Sequence, residues 1–538
     1  MELTQFENQL YKGEYFELLE YILDSYDFSR TNEIDNISDF LNPFIDFATN
    51  FLPEVKMNYS SIKENYQLKL AEELLNITVK SLVLEIQIKK LECITNESDP
   101  QKRLKIFLYE LLKDKNSYIE FFKIYNQLLV ILLKRIFYFA KNFREILDRF
   151  NNDLDLLKNS FDLKDTALLA INLSLGDSHN NGLVVSEIVF RDKSIIYKPR
   201  NNEISYAADN FLTWLSNNSS YSHYSPIMIN RNGYSWEEKI EYTSCQNEKE
   251  VEKYYLNFGY ISGFIYLLNG TDYHYENIIA QREHPVLIDN ETLLHPELYK
   301  LLDSQSSHTY TILSTSLFPN PKVNLDLSAL TGDCTQLDRP METLVNVDND
   351  EIGFTKSFIE LPGQFNIPLI KGEKVEVNSM AKENIIKGFE AFFATIIQHK
   401  SYLLSENSPI KLFENLKIRV LLRYTMRYHE TMMKSTHPDH IKTRELQKMF
   451  ILKNLSSEYG KYVFNEKTIE YETNSIINFD IPYFYTYTCG KNIYFGDEIS
   501  TGWVLDKSPY ERLLDKITNL DIADSEEQVE LIEKLKIW

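Results

Sequence analysis

Two stretches, LAEELLNITVKSLVLEIQIKKL at 70–91 and YIEFFKIYNQLLVILLKRIFYFAKNFREILDRF at 118–150, repeat apolar residues at helical spacing with no glycine or proline inside either. Such a pattern cannot alternate in and out of a sheet, so the chain from about Glu64 to Phe150 is predicted to be helical. The second stretch is apolar on more than one face, which predicts burial against neighbours and a scaffolding task. Its most apolar part, Leu128 to Leu133, runs directly into Lys134 and Arg135 and is too short to cross a bilayer.

After Leu163 the texture changes. GLVVSEIVF and SIIYKP are short β-branched runs on either side of Arg191-Asp192-Lys193, and they read as an antiparallel hairpin. A helix is expected from about Tyr206 to Ser216, and another over NEKEVEKYYLNFGYISGFIYLL. A dense polar block, 269–296, follows. Residues 297 to about 380 hold few long periodic segments and read as an insertion. Helices are expected to return from Lys382 to Leu404 and over IKLFENLKIRVLLRYTMRYHETMMK. Ser508, Pro509 and Glu511 form a capping-box start with proline at the first helical position. The pattern predicts an α+β protein: a helical scaffold over 1–155, a strand-containing lobe over 156–268, and a second lobe over 269–538 that holds the insertion.

Composition narrows the partners. With 79 acidic against 57 basic residues, the net charge of −22 repels a phosphate backbone, so nucleic acid is not an expected partner. Cys93, Cys245, Cys334 and Cys489 match no zinc-ribbon or CxxC spacing, and four cysteines are too few to staple 538 residues. A reducing cytoplasm fits them. MELTQFENQL lacks the basic and apolar regions of a secretion signal, so neither export nor a membrane span is expected.

Chemistry concentrates in Gly270-Thr-Asp-Tyr-His-Tyr-Glu-Asn277 and Val286-Leu-Ile-Asp289. Phosphoryl transfer from ATP needs a group that orients the attacking hydroxyl and oxygen ligands that hold Mg2+ on the phosphates. Asp272 fits the first role, Asn277 and Asp289 the second. Asp and Asn five positions apart, with a second Asp twelve residues on, is the order kinases use. His274 makes the loop D-x-H-x-x-N, closer to phosphoinositide lipid kinases than to protein kinases. Asn290 and Glu291 after Asp289 replace the protein-kinase F-G. Lys198, ending the strand SIIYK, suits the cation on the phosphates, and the turn with Gly176, Asp177, His179 and Gly182 would stand in for a glycine-rich loop. The fold expectation is therefore a lipid-kinase-like bilobal domain. Taken singly, these residues read as a turn, a strand end and a satisfied histidine, and their order is what points to ATP. His437 and His440 read as a polar turn, and no zinc is assigned.

Gly176-Asp-Ser-His179, Tyr197-Lys-Pro-Arg200, Gly270 to Asn277, Pro285-Val-Leu-Ile-Asp-Asn-Glu291, Arg419-Val-Leu-Leu-Arg-Tyr-Thr425 and Asp480-Ile-Pro-Tyr-Phe484 together resemble the N-terminal dehydratase domain of class II lanthipeptide synthetases. The resemblance runs from about residue 170 to the C-terminus. It implies dehydration of Ser and Thr in a leader-bearing, ribosomally made precursor peptide: ATP phosphorylates the hydroxyl, then phosphate is eliminated to leave dehydroalanine or dehydrobutyrine. It implies Lys198, Asp272, His274, Asn277, Asp289 and Glu291 for phosphorylation and nucleotide-metal binding, and Asp177, His179, Arg419 and Thr425 for elimination. Arginine and a hydroxyl suit a departing phosphate. Full-length relatives continue into a zinc-dependent cyclase, whereas this sequence stops at Trp538, so either it is an excised domain or it is a stand-alone dehydratase whose product is cyclised by a separate protein or left linear, and ring formation is not expected of it. The alternatives are a kinase that stops at phosphorylation of a protein, lipid or small molecule, and a catalytically dead binding module, which the Lys198, Asp272, Asn277 and Asp289 set disfavours.

Overall fold

The computed structural model describes residues 1–29, 34–53, 59–92, 95–173, 175–298, 310–321, 325–332, 340–359, 365–456 and 465–538. The mixture of helices with small antiparallel sheets is α+β, as expected. Among the described residues no helix is long and apolar enough to cross a membrane. The chain divides into two compact units. Cys93, Cys334 and parts of the expected insertion, at 299–309, 322–324, 333–339 and 360–364, lie outside the described residues.

The first unit comprises Met1–Pro199, Glu342–Ser357 and Arg423–Pro482. Helices Leu3–Lys12, Tyr15–Asp24, Asn42–Thr49, Tyr59–Leu91, Pro100–Leu112, Lys115–Ile124 and Asn126–Ser160 account for its N-terminal part. The stretch read as continuous over 118–150 is broken at Tyr125, whose φ −111° and ψ 57° are not helical. The tyrosine hydroxyl donates to the buried Glu85 at 2.8 Å, a tertiary bond that local periodicity does not encode. Along Asn126–Ser160 the run from Gln127 to Leu133 is buried all round, which is the burial its apolar pattern predicts. The core is aromatic, with Phe40 stacked on Tyr118 at 4.7 Å and Phe6 on Phe51 at 5.7 Å.

In the same unit the strands Ala170–Asn172, Ser186–Val189 and Ser194–Lys198 pair antiparallel, with Ser186 opposite Tyr197 and Val189 opposite Ser194. The hairpin expected around Arg191-Asp192-Lys193 is there. Helices Thr425–Ser435, Arg444–Ser456 and Glu466–Ile477 follow, joined by Arg423, which donates from Nε to Glu472 at 2.8 Å while the Tyr428 hydroxyl donates to the same carboxylate at 2.6 Å.

The second unit comprises Arg200–Met341, Phe358–Leu422 and Tyr483–Trp538. Helix Glu248–Leu267, capped by the Asn247 side chain on Glu250 N, packs on helix Ser379–Gln398 so closely that both use glycine. A Cβ on Gly259 would lie 2.1 Å from the Ile385 carbonyl oxygen, and one on Gly388 2.1 Å from that of Leu256. The hairpin Ile278–Gln281 with His284–Leu287 leaves the end of the first helix, with Ile278 opposite Leu287. Strands Lys417–Val420, Phe484–Tyr487, Asn492–Phe495 and Ile499–Val504 form an antiparallel sheet. The segment IKLFENLKIRVLLRYTMRYHETMMK is thus not one helix. It is a 3-10 turn over Pro409–Phe413, the strand Lys417–Val420 and the helix Thr425–Ser435. The strand forms because its partners are distant in sequence: Arg419 lies opposite Tyr485, and its N–H donates to the Glu291 carbonyl at 2.8 Å. Ser508 and Glu511 form the expected capping box at the start of Pro509–Asn519.

Candidate active site

Helix Glu248–Leu267 ends in a loop whose backbone is held from several sides. Asn269 and Asp272 both adopt positive φ, 48° and 65°, which non-glycine residues hold only when their surroundings impose it. Here Gly270 N donates to Ile265 O at 2.9 Å, and the Tyr310 hydroxyl donates to Gly270 O at 2.6 Å. Thr292 Oγ1 donates to Thr271 O at 2.6 Å, and Tyr273 N to Thr315 O at 3.0 Å. Gly270 itself admits no side chain, since a Cβ would lie 2.8 Å from both Ile265 and the Tyr273 ring.

The loop and the hairpin bring the motif residues together. Asn277 Nδ2 donates to the Asp272 carbonyl at 2.7 Å, and Ile288 N donates to Asn277 O at 3.1 Å, so the hairpin returns Asp289 to the side of Asn277. His274 caps the 3-10 turn Tyr275–Asn277, and its Nε2 lies 3.9 Å from Asp272 Oδ1. The buried Tyr273 hydroxyl donates to Asn290 Oδ1 at 3.1 Å, fixing the residue after Asp289.

Around Asp289 the charges alternate. Arg200 Nη2 donates to both Asp289 oxygens at 3.1 and 3.2 Å, and its Nη1 lies 2.8 Å from Glu291 Oε2. Arg419 Nη1 donates to Glu291 Oε1 at 2.7 Å, with the Tyr483 ring 5.6 Å from the guanidinium. Burial by itself lowers the Arg200 pKa, and the carboxylates of Glu291 and Asp289 more than reverse this. Burial raises the Asp272 carboxyl above the usual range; His274 and Arg419 pull it back, while Asp289 and Glu291 push it further up. The arrangement therefore offers a carboxylate poised toward proton uptake, two guanidinium groups spaced by a shared carboxylate, and the oxygens of Asp289 and Asn277.

Of the residues singled out from the sequence, Asp272, His274, Asn277, Asp289, Glu291 and Arg419 lie in the second unit and meet as described. Asp177, His179, Lys198 and Thr425 lie in the first. Lys198 is the buried last residue of its strand, and Thr425 the first of helix Thr425–Ser435. His179 Nδ1 lies 2.8 Å from Ile481 O, on the turn that Asp480 closes. Arg200 and Asp480 were visible only as letters of motifs. Arg200 sits two residues after Lys198, but its pairing with Asp289 joins positions 89 apart, which spacing does not reveal.

Among the described residues no group of three or more His, Cys, Asp and Glu side chains is arranged to hold a metal ion. The donors that line the loop are carboxylate and amide oxygens, the type that suits a hard divalent cation completing its shell with water and phosphate oxygens.

A protein-family model described as a domain of unknown function, DUF4135, matches residues 125–487. The chain is also similar to the Lacticin 481/lactococcin biosynthesis protein LcnDR2 of Lactococcus lactis subsp. lactis, with 25% identity over 502 residues, 88% of this chain and 53% of that protein. The chain thus spans about half the length of this curated relative. The family match includes every candidate site residue, from Asp177 and Lys198 through the Asp272 loop to Arg419 and Thr425, and covers more than half of the chain, which accordingly belongs to the DUF4135 family.

Proposed function

We propose that the protein is a lanthipeptide-type dehydratase: it uses ATP and Mg2+ to phosphorylate Ser and Thr hydroxyls of a leader-bearing precursor peptide, then eliminates the phosphate to leave dehydroalanine or dehydrobutyrine. The observation that carries this reading is the row Arg200, Asp289, Glu291, Arg419 beside Asp272 and Asn277. The relative named for lacticin 481 and lactococcin biosynthesis supports it, and so does the lipid-kinase-like order of Lys198, Asp272, Asn277 and Asp289.

In this reading Asp272 orients the attacking hydroxyl and receives its proton, a role that suits a carboxyl raised by burial. His274 lies on the same loop. Asp289 and Asn277 would hold Mg2+, which supplies charge neutralisation on the phosphates. Lys198 serves the nucleotide. Arg419 and Thr425 receive the leaving phosphate, with Asp177 and His179 assigned to proton movement in the elimination.

The test is mass spectrometry of a leader-bearing precursor peptide incubated with the protein, ATP and Mg2+. Loss of one water per Ser or Thr is expected. Stable phosphopeptide without loss of water, from unmutated protein, would show a kinase that stops at phosphorylation.

A further inference from the structure

The turn that carries Asp177 and His179 is built around one buried carboxylate. Asp480 is 4% exposed and accepts from the main-chain N–H of Asn181 at 2.6 Å and of Gly182 at 3.1 Å, and from Ser178 Oγ at 2.8 Å. Asn180, Asn181 and Gly182 have φ of 47°, 71° and 78°, a run of left-handed residues in which the amides of Asn181 and Gly182 converge on the carboxylate. Two of the three are asparagine, which tolerates this region, and the carboxylate that accepts from the Asn181 and Gly182 amides holds the turn in it. The Asp480 charge is itself compensated. Arg135 donates to it from Nη1 at 3.2 Å and pairs with Glu73 through Nε.

The same joint sets the histidine. Ile481 N donates to Ser178 O at 2.8 Å, and His179 Nδ1 is 2.8 Å from Ile481 O. A carbonyl oxygen only accepts, so Nδ1 carries the hydrogen, and in the neutral ring the nitrogen able to take up a proton is Nε2.

We propose that Asp480 is a positioning residue for phosphate elimination: by closing the Ser178–Gly182 turn it holds His179 as the Nδ1–H tautomer with Nε2 as its working nitrogen. This rests on the dehydratase reading and assigns a residue to its second step. In that step the Cα–H bond breaks and its electron pair becomes the second Cα–Cβ bond. The Cβ–O bond breaks with its pair leaving on phosphate, and the Cα proton passes to a protein base. Transfer of phosphate from ATP does not call on this turn for proton movement.

The experiment uses full-length Asp480→Ala and Asp480→Asn with two probes, a leader-bearing precursor peptide and the same peptide carrying phosphoserine, followed by mass spectrometry. A misplaced catalytic group costs about 100-fold, so elimination from the phosphopeptide is expected to fall by about that factor in Asp480→Ala while phosphorylation persists and phosphopeptide accumulates. Asp480→Asn, which keeps an acceptor oxygen for the turn, is expected to lie between. With 15N-labelled histidine, the His179 signal, assigned by its loss in His179→Asn, should show Nδ1–H in the unmutated protein and lose that signature in Asp480→Ala. Equal loss of both steps, elimination at the unmutated rate in a folded variant, or an Nε2–H tautomer in the unmutated protein overturns the proposal. If Asp480→Ala does not fold, Asp480→Asn with unchanged elimination overturns it alone. Failure of the unmutated protein to eliminate phosphate from the phosphopeptide would instead overturn the dehydratase reading itself.

Discussion

Arg419 is joined to Glu291 twice, by its main-chain N–H to the Glu291 carbonyl at 2.8 Å and by Nη1 to Oε1 at 2.7 Å. Glu291 also faces Arg200, so it is the anion shared by two guanidinium groups. Removing it leaves Arg200 with Asp289 but takes from the buried Arg419 guanidinium its Glu291 carboxylate, a change that costs roughly 3–5 kcal/mol. Removing Arg419 leaves Glu291 with Arg200. Glu291→Ala is therefore expected to lower the melting temperature more than Arg419→Ala, as differential scanning fluorimetry would read. The reverse order would refute the shared-anion account. Arg419→Ala is expected to stay folded and, on the dehydratase reading, to accumulate phosphopeptide, which mass spectrometry of the treated peptide measures.

Asp272 is expected to separate stability from activity. Burial raises its carboxyl, so the folded state holds the proton more tightly than the unfolded chain does. Stability contributed by such a group is lost as pH rises from the usual carboxylate range through the raised value, and at neutral pH the ionised form is a burden on the fold. Asparagine tolerates the positive φ of this position and carries no charge. Asp272→Asn should melt at or above the unmutated temperature at neutral pH while losing peptide phosphorylation. A clear drop in melting temperature would contradict the desolvation argument.

The part of the site legible in the sequence is the part built locally. Asp272, Asn277 and Asp289 lie on one loop and hairpin, so their spacing survives as geometry through Asn277 Nδ2 to Asp272 O and Ile288 N to Asn277 O. The Ser508 and Glu511 box was equally readable, because a cap is a contact across three residues. What escaped depends on partners far along the chain. The strand Lys417–Val420 looks helical until Tyr485 and Glu291 supply its pairing, and Tyr125 breaks a helix that the apolar pattern runs straight through. Arg200 and Asp480 likewise have no local mark of what they hold.

The crossing of helices Glu248–Leu267 and Ser379–Gln398 fixes where the loop begins, and it depends on Gly259 and Gly388. A methyl group at either meets a main-chain carbonyl oxygen at 2.1 Å, which only separation of the helices relieves. Overpacking of this kind costs typically about 1–3 kcal/mol. Gly259→Ala and Gly388→Ala should each lower the melting temperature and slow phosphorylation by displacing the Asn269–Asp272 loop. Gly353→Ala, where the added carbon finds only the Glu351 carbonyl at 3.8 Å, is the control expected to change neither. Unaltered melting in both helix variants would mean that the pair is not held so closely.

Lys516 holds the same loop from below, donating from Nζ to the Tyr266 carbonyl and to Asn269 Oδ1 at 3.1 Å, with the Tyr266 and Tyr310 rings 3.5 and 5.0 Å away. Burial pulls its pKa down to about 7, against the upward pull of Asp524 and Glu297. A folded-state value below the unfolded one means that, between about 7 and the ordinary lysine range, the unfolded chain binds the extra proton, so stability rises with pH across that window. Below it both states are charged and the fold carries a buried ammonium. Lys516→Met removes the titration while keeping most of the stem. The difference in stability, unmutated minus Met variant, should therefore grow from about pH 7 to about pH 9, by at most roughly 1.4 kcal/mol per pH unit. Melting curves of the two proteins over that range measure it directly. A difference that stays flat would mean that the two carbonyl-type oxygens and the tyrosine faces keep the ammonium charged throughout, so that Lys516 acts as a permanent cation at the end of helix Glu248–Leu267.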